Sequence, residues 1–357
     1  PGRINIIGEH TDYNNGLAMP AAINSWICVA FSKNKKDTSH IYSVNYNQAA
    51  QISTNSTIKS EESWIRLVAS VIQTIHDEFG ITEGGNMVIG GNIPIGCGLS
   101  SSTAFVVAIT NIFLQNFSIN LDDRDLAFLC QRIENKTFGI EGGLLDQFGI
   151  IMSKKQHCML LDFQDNSIEY LPVALKSYSF VVVNSHINRE LSESAYMNRV
   201  KECEEGLTIL KKECNISTFR EIEPEMLDVL QNKNELYYKR IYHYVHENKR
   251  VLAVKECLQL GNAQELGNML NESHESLRDM YEVSCNEIDY IIEISKEFDG
   301  WYGGRVMGGG FGGSTIHILS DDVIDSYSRH IVQSYCNNFG ISPQVFPVSF
   351  SGGLERL

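Results

Sequence analysis

No run of eighteen apolar residues occurs in the 357-residue chain, so no membrane-spanning helix is expected. Basic residues are the minority charge. The 29 Lys and Arg face 44 Asp and Glu, a net charge of −15, which leaves no basic face for a nucleic-acid backbone. That deficit does not exclude a nucleotide, because helix N-termini and Mg²⁺ hold phosphates locally. No C-x-x-C pair is present, and the nine cysteines are odd in number and scattered. Cys97, Cys130 and Cys158 stand in apolar surroundings and read as buried free thiols, which points to a reducing cytoplasm and away from a disulfide framework. The Asn135-Lys136-Thr137 triplet is then a chance sequon. No His/Cys cluster has zinc spacing, no secretory pattern marks the first residues, and neither an internal repeat nor a low-complexity tail is found. What is present is 43% hydrophobic and 20% charged, ordinary globular composition in a chain long enough for two cored domains.

Hydrophobic spacing sets the coarse organisation. Residues 1 to about 60 read as strands and turns, with alternation from Ile41 to Val44. Trp64, Leu67, Val68, Val71, Ile72, Ile75 and Phe79 recur at helical spacing, and Gly80 supplies a stop. Met87 to Ile89 predicts a short strand, and helices are expected from Ser102 to Gln115 and from Asp122 to Lys136. Cys158 to Phe163 and Tyr178 to Asn184 read as buried strands. From Ser192 the pattern is helical to about Gly261, then again from Ala263 to Ser295. A glycine-rich segment, Gly303 to Gly313, feeds a strand from Thr315 to Leu319, and Phe346 to Phe350 reads as the last strand. The shift from mixed to mostly helical pattern places a boundary near residue 175, giving domains 1–175 and 176–357.

Several stretches carry chemistry. Ile4, Ile6 and Ile7 form an apolar run that ends at Gly8, with Arg3 just upstream and Glu9, His10 and Asp12 just downstream. Carboxylates accept and a guanidinium donates, so such a loop can grip several hydroxyls in fixed directions. It can equally be a polar turn after a strand, with Asn14-Asn15-Gly16 as turn chemistry. Pro94-Ile95-Gly96-Cys97-Gly98-Leu99-Ser100-Ser101-Ser102 lies between a strand and a helix. Gly96 and Gly98 allow close backbone approach, the helix start offers free N–H groups to an anion, and the serine hydroxyls can meet phosphate or Mg²⁺. A serine-capped helix after a glycine turn is the plain alternative. No Lys follows the glycines, which excludes a Walker loop. Asp146 follows two glycines amid apolar neighbours and needs a partner to stay charged, unless it merely caps a helix. Gly308 to Gly313 matches G-x-G-x-x-G, but a strand follows and no acidic residue stands at the ribose distance, so a dinucleotide fold is rejected.

Pro1 to Ile23 resembles the first motif of galactokinases, the sugar kinases of the GHMP kinase superfamily. The Pro94 to Ala104 stretch resembles the superfamily's second motif, and Tyr302-Gly303-Gly304-Arg305 through Ser314-Thr315 its third, so the likeness covers nearly the whole chain. Asn184 to Arg199, with Arg189-Glu190-Leu191 inside it, and Asn271 to Cys285 are also similar to the family. The family's first motif follows upstream residues, so a segment before Pro1 is expected. The resemblance implies an α+β, two-domain GHMP kinase fold with the active site in the cleft between lobes. It implies Asp146 as the group that accepts the proton of the sugar's anomeric hydroxyl, with Arg3 beside it offsetting charge. Glu9, His10, Asp12, Gly143 and Tyr196 would select the sugar. Pro94, Gly96, Gly98, Leu99, Ser100, Ser101 and Ser102 would hold ATP phosphates, and Trp64 would lie near the adenine. Glu134 with Ser102, or with Ser101 in its place, would hold Mg²⁺.

The chain departs from the family at a few positions. Gly142 and Leu144-Leu145 stand where Cys and Ile-Met are usual around the aspartate, and Met307 and Ser314 replace the Thr and Cys that flank the third glycine run. The expected reaction is ATP-dependent phosphorylation of galactose at C1 by a monomeric cytoplasmic enzyme. Alternatives are a kinase of N-acetylgalactosamine, galacturonate or arabinose, and a regulator that senses galactose and ATP without turnover. The intact phosphate loop, Asp146 and Arg3 argue against the regulator.

Overall fold

The fold is taken from a computed structural model that describes all residues except 55–59, 140–141, 174, 188–191 and 357. Strand β1 (Gly2–Asn5) leads through a buried turn to β2 (Leu17–Ala18) and β3 (Pro20–Ile23), and β3 returns antiparallel to β1. A second sheet has the order β4 (Ile27–Lys33), β7 (Gly85–Gly91), β5 (Thr38–Ser43), β6 (Gln48–Ser53), with β5 and β7 parallel. Helices α1 (Ser63–Phe79), α2 (Ser101–Asn116) and α3 (Asp123–Phe138) pack on one another, with α2 against β4. The short α4 (Leu145–Ile151) wedges between α2, α3, β1 and β3. Strands β8 (His157–Asp162) and β9 (Ser167–Pro172) complete a three-stranded sheet with β2.

The second half contributes β10 (Tyr178–Asn184), then helices α5 (Ser192–Cys214), α6 (Leu227–Lys233), α7 (Glu235–Leu260), α8 (Ala263–Asp279) and α9 (Asn286–Lys296). Strands β11 (Trp301–Met307) and β12 (Ser314–Ser320), helix α10 (Ile324–Phe339) and β13 (Gln344–Pro347) follow. They build an antiparallel sheet in the order β11-β12-β10-β13. The C-terminal segment then crosses back, with Phe350 bridging to Ile23 and the Ser351 N–H donating to Ala22 O at 2.9 Å.

Local chemistry explains these elements. Helix α1 buries the stripe Trp64, Leu67, Val68, Val71, Ile72 and Ile75, and Gly80, at φ +68°, ends it by donating its N–H to His76 O. Side-chain oxygens start three helices: Asp122 caps α3, Asn234 caps α7 and Asn262 caps α8. Helix α2 is apolar almost all round and is the inner layer of the first half. Strand β12 is a continuous buried run from Ser314 to Leu319, as expected for a central strand covered on both faces.

Some expectations need correction. The helical stretch read from Ala263 to Ser295 is divided into two helices, because the chain turns at Glu282 (φ +55°) and buries Tyr281 and Val283 in the turn. The first part of the glycine-rich segment is a strand, β11, and its glycines let α8 lie backbone to backbone against it. The last strand is Gln344–Pro347, and Phe350 makes only the isolated bridge. Strand β9 and helix α10 were not anticipated. The first is half exposed, and the second buries only Tyr327, Ile331 and Tyr335.

A Cβ on Gly267 of α8 would lie 2.2 Å from Tyr302 O, a backbone atom that cannot move alone. Gly267→Ala is therefore expected to destabilise by about 1–3 kcal/mol through overpacking. An unchanged urea midpoint would show that α8 and β11 can separate freely.

Candidate active site

Strand β1 ends at Asn5, and the chain runs on through buried Ile6 and Ile7 to Gly8. Gly8 has φ +93°, and any Cβ there would meet Leu17 O at 2.4 Å, so the turn requires glycine. Thr11 locks the turn, its hydroxyl lying 2.7 Å from Leu17 O and 3.0 Å from Gly8 O. Glu9, His10 and Asp12 consequently line one cleft of about 480 Å³. Glu9 Oε1 accepts from Arg305 Nη1 at 3.1 Å and from the Gly308 N–H at 2.9 Å. His10 Nδ1 lies 2.8 Å from the Tyr13 hydroxyl, which lies 2.8 Å from that of Tyr281. The other His10 nitrogen is buried without a hydrogen-bonding partner among the described residues. Burial, with the neighbouring His243, lowers the His10 pKa to about 3, so the ring is neutral. Gly143 packs directly on Asp12, since a Cβ there would sit 1.9 Å from Asp12 Oδ2.

The opposite wall is the start of α2. Gly96 and Gly98 both have positive φ, and Ser100 is left-handed at φ +55°. Ser100 does not cap the helix. Its hydroxyl donates to Asp146 Oδ2 at 2.5 Å, which leaves the first N–H groups of α2 free for an anion. Arg3 Nε donates to Asp146 Oδ1 at 2.6 Å, and Arg3 Nη1 to Gly98 O at 2.6 Å. Asp146 lies in the first turn of α4 and caps nothing. Both its oxygens are fixed, and it faces the cleft beside Asp12 and Ser102.

Glu134, from α3, accepts from Thr103 Oγ1 at 3.0 Å and from Gln147 Nε2 at 2.8 Å. Burial first, and then the charge of Asp146, raises its pKa to about 7, and the same two causes raise Asp12 to about 7. No group of three or more His, Cys, Asp or Glu side chains placed to hold a metal occurs among the described residues. The donors present, the Glu134 carboxylate and the Ser102 hydroxyl that supports it, are hard oxygens, and the buried Gln147 Oε1 beside them has no partner among the described residues. A carboxylate lifted by burial and hydroxyl oxygens at a phosphate loop suit Mg²⁺ carried by a nucleotide, which keeps most of its ligands from water and phosphate.

The cleft thus gathers Arg3, Glu9, His10, Asp12, Gly96, Gly98, Ser102, Glu134, Gly143, Asp146 and Tyr196. Leu99, Ser100 and Ser101 frame it from behind, Leu99 O accepting the Arg3 N–H at 3.1 Å. Pro94 enters the same loop at partial burial. Trp64 is not in the cleft wall. It is a core residue of α1 that donates to Gln48 Oε1 and stacks on Tyr46 at 5.9 Å. Glu141 and the Arg189-Glu190-Leu191 stretch lie outside the described residues. Sequence reasoning missed Tyr13, Arg305, His243, Glu247 and Tyr281. Tyr13, Arg305 and Tyr281 stood within stretches similar to the family without being singled out, and His243 and Glu247 are single polar residues in a helical pattern.

Family models match in three places: the galactokinase galactose-binding signature at residues 1–33, the GHMP kinases N terminal domain at 66–154 and the GHMP kinases C terminal at 253–335. The galactokinase of Thermosipho africanus is 35% identical over all of this chain and 98% of its own length, and that of Clostridium beijerinckii 32% identical over all of this chain and 93% of its own. The crystal structure of Lactococcus lactis galactokinase complexed with galactose superposes with a TM-score of 0.94 at 30% identity, covering all of this chain and 94% of that one. A mevalonate kinase structure shares the fold at a TM-score of 0.66 and 18% identity. By sequence and fold, the chain belongs to the galactokinase family of the GHMP kinases.

Proposed function

We propose that the chain transfers the γ-phosphoryl group of ATP to the C1 hydroxyl of galactose, giving galactose 1-phosphate and ADP. The observation that carries this reading is Asp146, gripped on one oxygen by Arg3 and on the other by Ser100, between the sugar turn and the phosphate loop. Glu9, His10, Asp12, Gly143 and Tyr196 hold the sugar. The α2 N-terminus with Gly96, Gly98 and Ser100 to Ser102 receives the phosphates, and Gly308 to Gly313 faces them from the second half. Asp146 accepts the C1 hydroxyl proton as the oxygen bonds to the γ-phosphorus and the bond to ADP breaks. Arg3 offsets negative charge on both partners. Little else is needed, because phosphoryl transfer is mostly positioning and charge stabilisation. Mg²⁺ held by Ser102 and Glu134 would neutralise phosphate charge when bound.

The same reading divides the chain into lobes 1–175 and 176–357, supported by the separation of the sheets on either side of that point. It places the protein in the cytoplasm, supported by nine free cysteines, and takes it as a monomer. No described helix is long and apolar enough to cross a membrane.

ADP release with MgATP over galactose, N-acetylgalactosamine, galacturonate, arabinose and glucose tests the proposal. Turnover is expected on galactose, and turnover confined to another sugar would overturn the substrate. Asp146→Asn is expected to lower kcat by about 10³-fold with the ATP Kd nearly unchanged. Near-normal turnover would remove Asp146 as the base. Gly143→Ala must displace Asp12, so a galactose KM raised by about ten- to a hundredfold is expected, against an ATP KM that hardly moves.

The raised carboxyls also predict a stability profile. Asp12 and Glu134 titrate near 7 when folded but near 3.8 and 4.5 as free groups. The folded state therefore binds more protons between those values, and stability present at low pH is lost as pH rises towards 7. The Tm of the ligand-free protein should fall from pH 5 to pH 8, and Glu134→Gln should flatten that fall. An equal slope in the variant would show that Glu134 is not the source.

A further inference from the structure

The turn that bears Glu9, His10 and Asp12 is fastened by the second half of the chain. The Gly8 N–H donates to Glu247 Oε1 at 3.0 Å, and the Glu9 N–H reaches the same oxygen at 3.4 Å. Ser273, from α8, donates its hydroxyl to that oxygen at 2.8 Å, while Arg250 Nε donates to Glu247 Oε2 at 2.8 Å. Glu247 itself is fully buried in α7 and lies outside the cleft lining. One turn earlier, His243 Nε2 lies 3.1 Å from Glu9 O. A carbonyl only accepts, so the ring proton is on Nε2, and Nδ1 takes the Ser276 hydroxyl at 2.9 Å. Arg305 Nη1 and the Gly308 N–H then bind Glu9 Oε1. The N–H, the carbonyl and one carboxylate oxygen of Glu9 are thus all held from the other lobe, and no described residue donates to Oε2.

We propose that Glu247 is a positioning residue for the sugar: its carboxylate fixes the consecutive Gly8 and Glu9 N–H groups and so aims Glu9 Oε2 into the cleft. This rests on the reading that Glu9 contacts the sugar. Burial alone would raise the Glu247 pKa, but Arg250, then His243 and Arg305, outweigh it and lower it to about 2, so the anion is present at neutral pH. An amide of the same shape cannot replace it. Gln at 247 offers one acceptor oxygen where the two carboxylate oxygens serve the turn and Arg250, so its NH₂ must face either the turn's N–H groups or the guanidinium.

The test is steady-state kinetics and calorimetric galactose binding on the full chain, comparing wild type, Glu247→Gln and Ser273→Ala. Glu247→Gln is expected to raise the galactose KM and Kd together by about tenfold, with the ATP KM within about twofold. Ser273→Ala, which removes one donor to the same oxygen, is expected to raise both by about threefold. A merely structural role would lower the active fraction and Tm and leave both galactose constants in place. Galactose constants within twofold of wild type in Glu247→Gln overturn the proposal. If that variant does not fold, the same result in Ser273→Ala overturns it. Failure of the wild type to turn over galactose would instead strike the substrate assignment, a separate outcome.

Discussion

One guanidinium organises the cleft. Arg3 stands on β1, yet its Nε is on Asp146 of α4, its Nη1 is on the carbonyl of Gly98 in the phosphate loop, and its own N–H is on Leu99 O. Three segments far apart in sequence meet on this side chain. It is also a cation amid carboxylates, since Asp12, Glu134 and Asp146 all line the same space. The pairing is directional and charge-assisted, so it fixes the orientation of Asp146 as well as its position. Asp12 and Glu134 have no guanidinium beside them and carry the cost of burial as raised pKa values.

The two halves divide the labour unevenly. The first supplies the helix start at α2, the carboxylates of α3 and α4, and the turn after β1. The second supplies almost none of the charged groups in the cleft, but it holds that turn. Arg305 reaches Ile6 O, Asn5 O and Glu9 Oε1, and Glu247 with His243 holds the backbone of Gly8 and Glu9. Burying these charges is expensive unless each is paired and hydrogen-bonded, and here Glu247 accepts on both oxygens while Arg305 donates from all three nitrogens. Such clusters add little net stability over apolar packing. Their return is a single geometry at the join between lobes.

Legibility followed contiguity. The turn after β1 and the loop before α2 each place several chemical groups within a few residues, so Glu9, His10, Asp12 and the serines after Gly98 stood out as candidates, and the resemblance to galactokinase motifs chose between ligand contact and plain turn or cap chemistry. Glu247 was hidden for the opposite reason. It sits in a 26-residue helix with polar residues on every side, where one more Glu three residues before an Arg reads as a solvated pair. Tyr281 lay in a stretch that read as helical, and the turn at Glu282 that delivers it has no glycine or proline to mark it. Trp64 shows the converse. Its helical spacing already described a core residue, and in the fold it lies in the core, apart from the cleft.

By itself the sequence determined the amphipathic helices, the buried strands, the need for glycine at sharp turns and the identity of the groups able to do chemistry, because these depend on side-chain type and short-range spacing. Tertiary structure alone decided which of those groups meet. Ser100 could have capped a helix and instead binds Asp146, Asp146 could have been a helix-capping loop residue and instead is held on both oxygens, and a buried Glu on α7 holds a turn 239 residues away in the chain. These are long-range pairings between single polar atoms. They leave no period in the sequence, and they form only once tertiary packing has brought the partners together and removed water from them.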